Sequence, residues 1–193
     1  MQKVGVLALQ GAFQEHIDIL RQLGVDAPAI RLPAELQGLD GLVIPGGEST
    51  TMLRLMEEYD LTAALKRLVG QGLPTMGTCA GMVLLARHAS GMDTATLGAM
   101  DMDVRRNAFG RQVDSFETDI DVPVLGAPLF RAVFIRAPYI ERVGDEVEVL
   151  AQLPDGVPVA ARQGNAVALA FHPELTGDAR LHSYFLDIVK GKR

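Results

Sequence analysis

The first ninety residues alternate between apolar segments and amphipathic ones, and this alternation limits the possible folds more than any other feature. The apolar segments, typical of strands, are 3–9, 40–47 and 73–77, and the helical ones are 11–24, 49–59, 61–72 and 80–89. Apolar strands that alternate with helices form parallel sheets whose two faces are both covered. The sequence therefore predicts an α/β three-layer sandwich, flavodoxin-like, with a mostly parallel central sheet.

Local signals refine this pattern. In the first helix Phe13, Ile17 and Leu20 recur at helical spacing, and Gly24 is the expected stop. Residues 25–32 contain a proline, which predicts a short strand or one at a sheet edge. Ser49 or Thr50 is the natural N-cap of the second helix.

The second half of the chain has a different character. From about 97 to 171 the segments look extended, which predicts antiparallel strands and hairpins added to the parallel core, and 177–191 closes the chain as a helix. No repeat and no linker divides the sequence, so we expect a single domain over 1–193. The extended segments are 97–104, 111–120, 132–138, 146–153, 157–164 and 166–171.

Composition excludes several classes of protein. The chain has 193 residues, of which 48% are apolar, as is typical of a folded globular protein with one sizeable core. A net charge of -6 argues against nucleic-acid binding, which normally requires a basic face. A single cysteine fits a reducing compartment, and no apolar run approaches the length of a membrane helix. We expect a cytoplasmic protein with no nucleic-acid or membrane partner.

The only cysteine, Cys79, lies in the sequence GTCAG between a predicted strand and a predicted helix. Glycines two residues before and after it permit the sharp strand-to-helix turn that holds a nucleophile above a sheet. The positive end of the following helix would favour the thiolate. A lone cysteine is otherwise most often a small buried apolar residue, so the assignment requires a base nearby.

His172 is the histidine best placed to be that base. It follows the apolar segment 166–171, and ligands of parallel sheets bind beyond the carboxyl ends of the strands. Glu174 stands two residues later, on the same side of an extended backbone, where its carboxylate can fix the imidazole tautomer. The sequence HPE alone also fits an exposed turn. The remaining histidines lie in predicted helices, where we expect solvated or structural roles: His16, His88 and His182.

Two further loops are predicted to reach the same edge of the sheet. The glycines at 46–47 let backbone N–H groups approach a reacting carbonyl, as an oxyanion site requires, although a plain turn is the alternative. Gln10 and Gly11 follow the first strand. No phosphate-loop lysine follows the glycines, and no cluster of Cys and His is present, so we expect neither a nucleotide cradle nor a metal site.

Taken together, these motifs resemble those of the class I (triad-type) glutamine amidotransferases. Within that class the chain resembles the glutaminase subunits of pyridoxal phosphate synthase over essentially its whole length. Inside one motif Ala108 stands where many relatives are expected to have serine, and no presumed catalytic position departs from the pattern. The motifs that carry the resemblance are GVLALQGAFQEH, LVIPGGESTTM, GTCAGM, RRNAFGRQVDSFE, FIRAP and FHPELT.

The resemblance implies a role for each residue. Cys79 would attack the side-chain amide of L-glutamine, His172 would shuttle protons and Glu174 would orient His172. A glutamyl thioester would form, ammonia would leave and water would release glutamate, without any cofactor. Backbone N–H groups of Gly47 and Ala80 would stabilise the oxyanion. The residues implied to hold the glutamine are Gly47, Glu48, Ser49, Arg106, Ile135 and Arg136.

The resemblance also implies a partner and a means of control. Ammonia would pass directly to a separate synthase subunit that builds pyridoxal phosphate, so we expect a hetero-oligomer. The peptide between Gln10 and Gly11 can flip at little steric cost, because glycine reaches backbone angles that other residues avoid. Its carbonyl would oppose catalysis in one orientation, and its N–H would complete the oxyanion site in the other. Docking of the synthase subunit would select the second orientation.

Two rival interpretations remain open from the sequence. One is a different cysteine hydrolase on a related sheet, such as a γ-glutamyl peptidase or a DJ-1/PfpI-like protein. The other is a non-catalytic binding or redox-sensing module on the same fold. The glutamine-pocket motifs argue against the first, and the complete set of Cys79, His172 and Glu174 argues against the second.

Overall fold

The computed structural model describes residues 1–92, 94–106 and 115–192, and within them the strands form one large sheet and two small ones. The strands are β1 (Val4–Leu7), β2 (Ala29–Ile30), β3 (Gly41–Ile44), β4 (Thr75–Thr78), β5 (Ala86–Ser90), β6 (Met100–Arg105), β7 (Ser115–Ile120), β8 (Phe130–Ile135), β9 (Tyr139–Val143), β10 (Glu148–Gln152), β11 (Pro158–Gln163) and β12 (Ala166–Leu169). The helices are α1 (Phe13–Gln22), α2 (Ser49–Glu58), α3 (Leu61–Gly70), α4 (Ala80–Leu85) and α5 (Arg180–Val189).

The large sheet has the strand order β10-β11-β12-β4-β3-β1-β2. The five strands from β12 to β2 run parallel, and β11 and β10 extend the sheet in antiparallel pairing. Every residue of β1, β3, β4 and β12 is buried, as expected when both faces of a parallel sheet are covered. The predicted α/β class with a mostly parallel central sheet is confirmed.

Several local predictions agree with these elements. The strand predicted to be short or at an edge is β2, which has two residues and ends the sheet. Helix α1 stops before Gly24, whose φ of 78° lies in the left-handed region that favours glycine. Strand β7 occupies the described part of the predicted segment 111–120, and 111–114 lie outside the described residues, as does Ala108.

The segment 166–171 is predicted among the antiparallel additions, and this holds for only one of its two edges. Strand β12 pairs antiparallel with β11 on one side but parallel with β4 on the other. It is therefore the outer strand of the parallel core rather than part of an appended hairpin. The physical reason is that its four residues are all buried, so it requires a covered, central position in the sheet.

The predicted helix 80–89 also ends earlier than expected. Helix α4 stops at Leu85, and the chain continues as β5, which pairs in parallel with β6. His88 consequently lies on an exposed strand and not in a helix. No glycine or proline marks this boundary, because pairing with β6 decides it rather than local propensity. Among the described residues, no helix is both long and apolar enough to span a membrane.

Candidate active site

Four adjacent strands of the large sheet, β12, β4, β3 and β1, end at the same edge, and most of the predicted site residues follow them. The exceptions are Arg106, which follows β6, and Ile135 and Arg136, which lie at the end of β8. Backbone hydrogen bonds fix the loops to one another: the Cys79 N–H donates to the Leu169 carbonyl at 2.7 Å, and the Ala12 N–H donates to the Gly46 carbonyl at 3.1 Å. A cleft of about 240 Å³ opens between them. Its lining residues are Gln10, Gly47, Glu48, Ser49, Cys79, Ala80, Val83, Arg106, Ile135, Arg136, Pro138 and His172.

Cys79 occupies the sharp turn that the sequence predicts. Its φ of 49° and ψ of -104° lie in a region that residues with a side chain rarely adopt. The flanking glycine Gly81 is required there, because a Cβ atom on it would collide with the Ile44 carbonyl oxygen. The Cys79 side chain is nearly buried, and its Sγ lies 3.9 Å from the Ile135 carbonyl oxygen. The turn therefore holds the thiol rigidly at the floor of the cleft.

His172 and Glu174 form a close buried pair in the loop after β12. The Nδ1–H of His172 donates to Oε1 of Glu174 at 2.6 Å, which leaves Nε2 of His172 free to face Cys79. Burial opposes the charged imidazolium, but hydrogen bonds to Cys79 and Glu174 and their negative charges outweigh it and raise the pKa of His172 to about 10. The Glu174 carboxylate therefore favours the protonated imidazole, whose Nε2–H can supply a proton to a ligand in the cleft.

Gly46 is part of this arrangement, although sequence reasoning did not single it out for the purpose. A Cβ atom on Gly46 would collide with the His172 ring and would lie 3.3 Å from the Cβ of Cys79. The position must therefore lack a side chain so that the imidazole can reach the thiol. The Pro-Gly-Gly sequence does indicate that a side chain is excluded at Gly46. The reason is that the His172 ring needs the space, and not that the Gly46 N–H binds an oxyanion.

The two predicted oxyanion donors both face the cleft. Ala80 is the first residue of α4 and Gly47 precedes α2. In the described part of the chain neither backbone N–H donates a hydrogen bond, so both remain available to a ligand. Both residues line the cleft together with Cys79, which suits stabilisation of an oxyanion on a carbonyl group that the sulfur attacks.

Gln10 and Gly11 border the same loop. Oε1 of Gln10 accepts a hydrogen bond from the Glu48 N–H at 2.7 Å and occupies the space that a Gly47 side chain would need. Gly11 has a φ of 94°, and a Cβ atom on it would collide with the Gly46 carbonyl oxygen. The loop after β1 therefore packs directly against the backbone of the predicted oxyanion site.

Glu48, and not Ser49 or Thr50, is the N-cap of α2, so that sequence prediction was wrong. Its carboxylate accepts the backbone N–H groups of Thr50 and Thr51 at 3.1 and 2.7 Å. A glutamate side chain can reach these groups because the chain enters the helix from an extended backbone at Glu48. Partial burial raises the pKa of the Glu48 carboxyl, but hydrogen bonds from Thr51 and Thr50 outweigh it and lower the pKa to about 2.

Two arginines enter the cleft in different states. Arg106 is fixed, since its guanidinium donates to Oε1 of Glu48 at 3.2 Å and to the Gly91 carbonyl at 3.0 Å. Arg136 follows β8 with a φ of 43°, and its side chain forms no hydrogen bond to other described residues. Arg136 is thus the cation in the cleft that is available to an anionic ligand.

The sequence predicts either a solvated or a structural role for His16 and His182. Both side chains are completely buried, so neither histidine is solvated. Nε2 of His16 lies 3.3 Å from Oε2 of Glu174 and 3.2 Å from Oγ1 of Thr78. Nδ1 of His16 lies 2.9 Å from Nε2 of His182. The two histidines therefore form a row next to the Glu174 carboxylate.

No group of three or more His, Cys, Asp or Glu side chains in the described ranges could hold a metal ion.

Comparison with known proteins adds an independent line of evidence. Residues 6–190 match the SNO glutamine amidotransferase family. The pyridoxal 5'-phosphate synthase subunit PdxT of Moorella thermoacetica is 57% identical, over 97% of this chain and 99% of its own length. PdxT of Pelotomaculum thermopropionicum is also 57% identical, over 96% of this chain and 94% of its own length. A crystal structure described as glutamine amidotransferase is 49% identical and superposes with a TM-score of 0.91, covering 97% of this chain and 98% of that one.

Proposed function

The chain belongs to the SNO glutamine amidotransferase family, and from this premise we propose that it is the glutaminase subunit of a pyridoxal 5'-phosphate synthase. It hydrolyses L-glutamine to L-glutamate and ammonia. The observation that carries the proposal is the pairing of His172 with Glu174 at 2.6 Å in the same cleft as a strained, nearly buried Cys79.

The first half of the reaction forms a thioester. The sulfur of Cys79 attacks the amide carbon of the glutamine side chain, and the carbonyl electrons move onto oxygen. The N–H groups of Gly47 and Ala80 stabilise that oxyanion, a contribution of about 3 kcal/mol for each donor. His172 transfers the proton on its Nε2 to the amide nitrogen, the C–N bond breaks, and ammonia leaves.

The second half of the reaction restores the thiol. His172 is now neutral, and its Nε2 removes a proton from a water molecule that attacks the thioester carbon. The C–S bond breaks, its electron pair returns to the sulfur, and glutamate is released. The proton taken from water is then shared between Nε2 of His172 and the sulfur of Cys79, which restores the starting state. Glu174 holds the Nδ1–H of His172 throughout, so that Nε2 always faces the reacting atoms.

The remainder of the cleft selects free glutamine. The unpaired guanidinium of Arg136 binds the α-carboxylate, for which a fork of N–H donors is well suited. Glu48, whose carboxyl has a pKa of about 2, stays charged and binds the α-ammonium group together with backbone atoms of Gly47 and Ile135. Arg106 holds the Glu48 carboxylate in place, and Ser49, the first residue of α2, lines the cleft beside it.

The product ammonia passes to a synthase subunit that assembles with this chain. The relatives' printed description as a synthase subunit supports this assignment. Because a catalytic thiol must stay reduced, we place the complex in the cytoplasm.

A glutaminase assay with and without the synthase subunit tests the proposal. Wild-type complex should release ammonia from glutamine, Cys79→Ala complex should not, and a panel of γ-glutamyl peptides should be poor substrates. Glu174→Gln should lower the rate less than His172→Asn, because an orienting group contributes less than the base. Rapid cleavage of γ-glutamyl peptides, or ammonia release by Cys79→Ala, would overturn the assignment.

A further inference from the structure

The buried histidines behind Glu174 take no part in the mechanism derived above. His16 comes from α1 and His182 from α5, and neither has any exposed surface. Burying a polar ring costs free energy unless its nitrogens find hydrogen-bond partners, and apolar residues fill such positions more readily. Two neighbouring histidines that contact the triad's carboxylate therefore point to a role in the reaction.

The contacts form one continuous row from α5 to the thiol. His182 Nε2 lies 2.9 Å from His16 Nδ1, and His16 Nε2 lies 3.3 Å from Oε2 of Glu174. The other carboxylate oxygen, Oε1, accepts the Nδ1–H of His172 at 2.6 Å. Glu174 thus stands between two imidazoles, one on each oxygen, and its side chain is fully buried.

The chemistry of the row fixes which nitrogens carry protons. Oε2 of Glu174 is buried and has no hydrogen-bond partner among the described residues, so a nitrogen lone pair at 3.3 Å would repel it. Nε2 of His16 therefore carries its proton and donates it to Thr78 Oγ1 at 3.2 Å, while Oε2 lies 3.3 Å from the same nitrogen and is attracted by its positive end without a hydrogen bond. A neutral imidazole has one donor and one acceptor, so Nδ1 of His16 accepts from the Nε2–H of His182.

An independent observation agrees with this direction. The remaining nitrogen, Nδ1 of His182, has no partner among the described residues. In the assignment above it is an unprotonated acceptor, and an unpaired acceptor is tolerated better than an unpaired N–H donor. Burial lowers the pKa of His182 to about 4, and burial together with the charges of His182 and His172 lowers that of His16 well below 6.5. Both rings are therefore neutral at pH 7.

We propose that His16 is a positioning residue of the glutaminase site: held in one tautomer by His182 and bonded to Thr78, it keeps its protonated Nε2 beside Oε2 of Glu174. The attraction between this N–H and Oε2 opposes rotation of the carboxylate away from His172, which binds the other oxygen. This inference rests on the proposed glutaminase function, and it adds a second pair of side chains to the three that perform the chemistry.

Steady-state kinetics of the complex with the synthase subunit tests the role. His16→Leu should lower kcat about tenfold with little change in KM, which corresponds to roughly one hydrogen bond to a charged group. His16→Gln should recover most of that loss, because the amide nitrogen of glutamine can occupy the position of Nε2. The control is Leu20→Val, a buried change one turn along the same helix, which should destabilise the fold and leave kcat unchanged.

Two outcomes of that assay would overturn the proposal. One is an unchanged kcat in His16→Leu, and the other is an equal loss in His16→Leu and His16→Gln. If the wild-type complex releases no ammonia, it is the proposed glutaminase function that fails. The tautomers of His16 and His182 can then still be determined by a measurement that does not depend on activity.

Nuclear magnetic resonance of the full wild-type chain with ¹⁵N-labelled histidine gives that second measurement and needs no variant. His16 and His182 should both appear as neutral Nε2–H tautomers at pH 7. A His16 that carries its proton on Nδ1, or that is charged at pH 7, would overturn the proposal even if every His16 variant failed to fold.

Discussion

At the scale of single residues, Cys79 combines its proposed role as nucleophile with backbone strain. Its positive φ is unfavourable for any residue with a Cβ atom, and glycine alone would adopt it freely. Cys79→Ala removes the proposed nucleophile but keeps the Cβ atom and therefore the backbone strain. Cys79→Gly removes the nucleophile and relieves the strain as well. The pair of variants therefore separates the backbone contribution from the side-chain contribution.

We predict that Cys79→Gly is more stable than Cys79→Ala by about 1 kcal/mol, the strain relieved less the extra entropy of glycine in the unfolded chain. Urea unfolding of the two variants measures the difference, and both should lack glutaminase activity. A glycine variant that is no more stable than the alanine variant would show that the turn stores no strain.

His172 predicts a pH dependence of stability. The pKa of His172 is about 10 in the folded chain and 6.5 when the imidazole is free of its folded surroundings, as in the unfolded chain. The folded state therefore binds the proton more strongly. The resulting stabilisation is complete below pH 6.5 and disappears as the pH rises through about 10, with a slope of at most about 1.4 kcal/mol per pH unit. Glu174→Gln removes one cause of the raised pKa and should flatten this slope.

Urea unfolding of wild type and Glu174→Gln, at several pH values from neutral to alkaline, checks the prediction. Other titrating groups are common to both proteins and cancel in the difference. Parallel curves would contradict the assigned pKa of His172.

At the scale of elements, the loop after β3 must leave space for the His172 ring as well as present N–H groups to the proposed oxyanion. We predict that Gly46→Ala abolishes or severely reduces glutaminase activity, because the added methyl group displaces the His172 ring from Cys79. The matched control is Gly70→Ala at the end of α3, where nothing lies within 4 Å of the new methyl group. The control should keep full activity and gain up to about 1 kcal/mol of stability.

Ammonia release and urea unfolding of both variants test this prediction. A Gly46→Ala protein with normal activity would mean that His172 does not need the position in which it is found.

The sequence predicted the elements that end at the catalytic edge, because strand, glycine turn and helix follow one another there with clear local signals. It failed where pairing decides the outcome. The apolar sequence of β12 indicates a buried strand but not which neighbours it pairs with, and nothing between Leu85 and Ala86 marks the end of α4. The long-range contact between His16 and Glu174, 158 positions apart by number, leaves no trace in either segment alone.

At the scale of the whole molecule, the Gln10–Gly11 peptide predicts dependence on the partner. We expect weak glutaminase activity from the isolated chain and a rise of about 100-fold on adding the synthase subunit, since one oxyanion donor contributes about 3 kcal/mol. Ammonia release at saturating glutamine, with and without the subunit, measures the ratio. Equal rates would reject the peptide-flip hypothesis and leave the triad assignment intact.

The structure also changes how that hypothesis should be tested. From the peptide flip alone, Gly11→Val should blunt activation more than it weakens partner binding. The new side chain would collide with the Gly46 carbonyl, so the variant would disturb the oxyanion loop as well as the peptide. The comparison of isolated chain and complex is therefore the more selective experiment.

The site is assembled from loops that follow the first and the last strands of the parallel core, and this has a consequence for folding. A growing chain contains its thiol long before it contains His172, and β12 must insert between β4 and β11 before the two meet. Such long-range pairings form late, because the chain must first close large loops. No partly folded or truncated intermediate can consume glutamine, and the return of activity during refolding reports completion of the sheet.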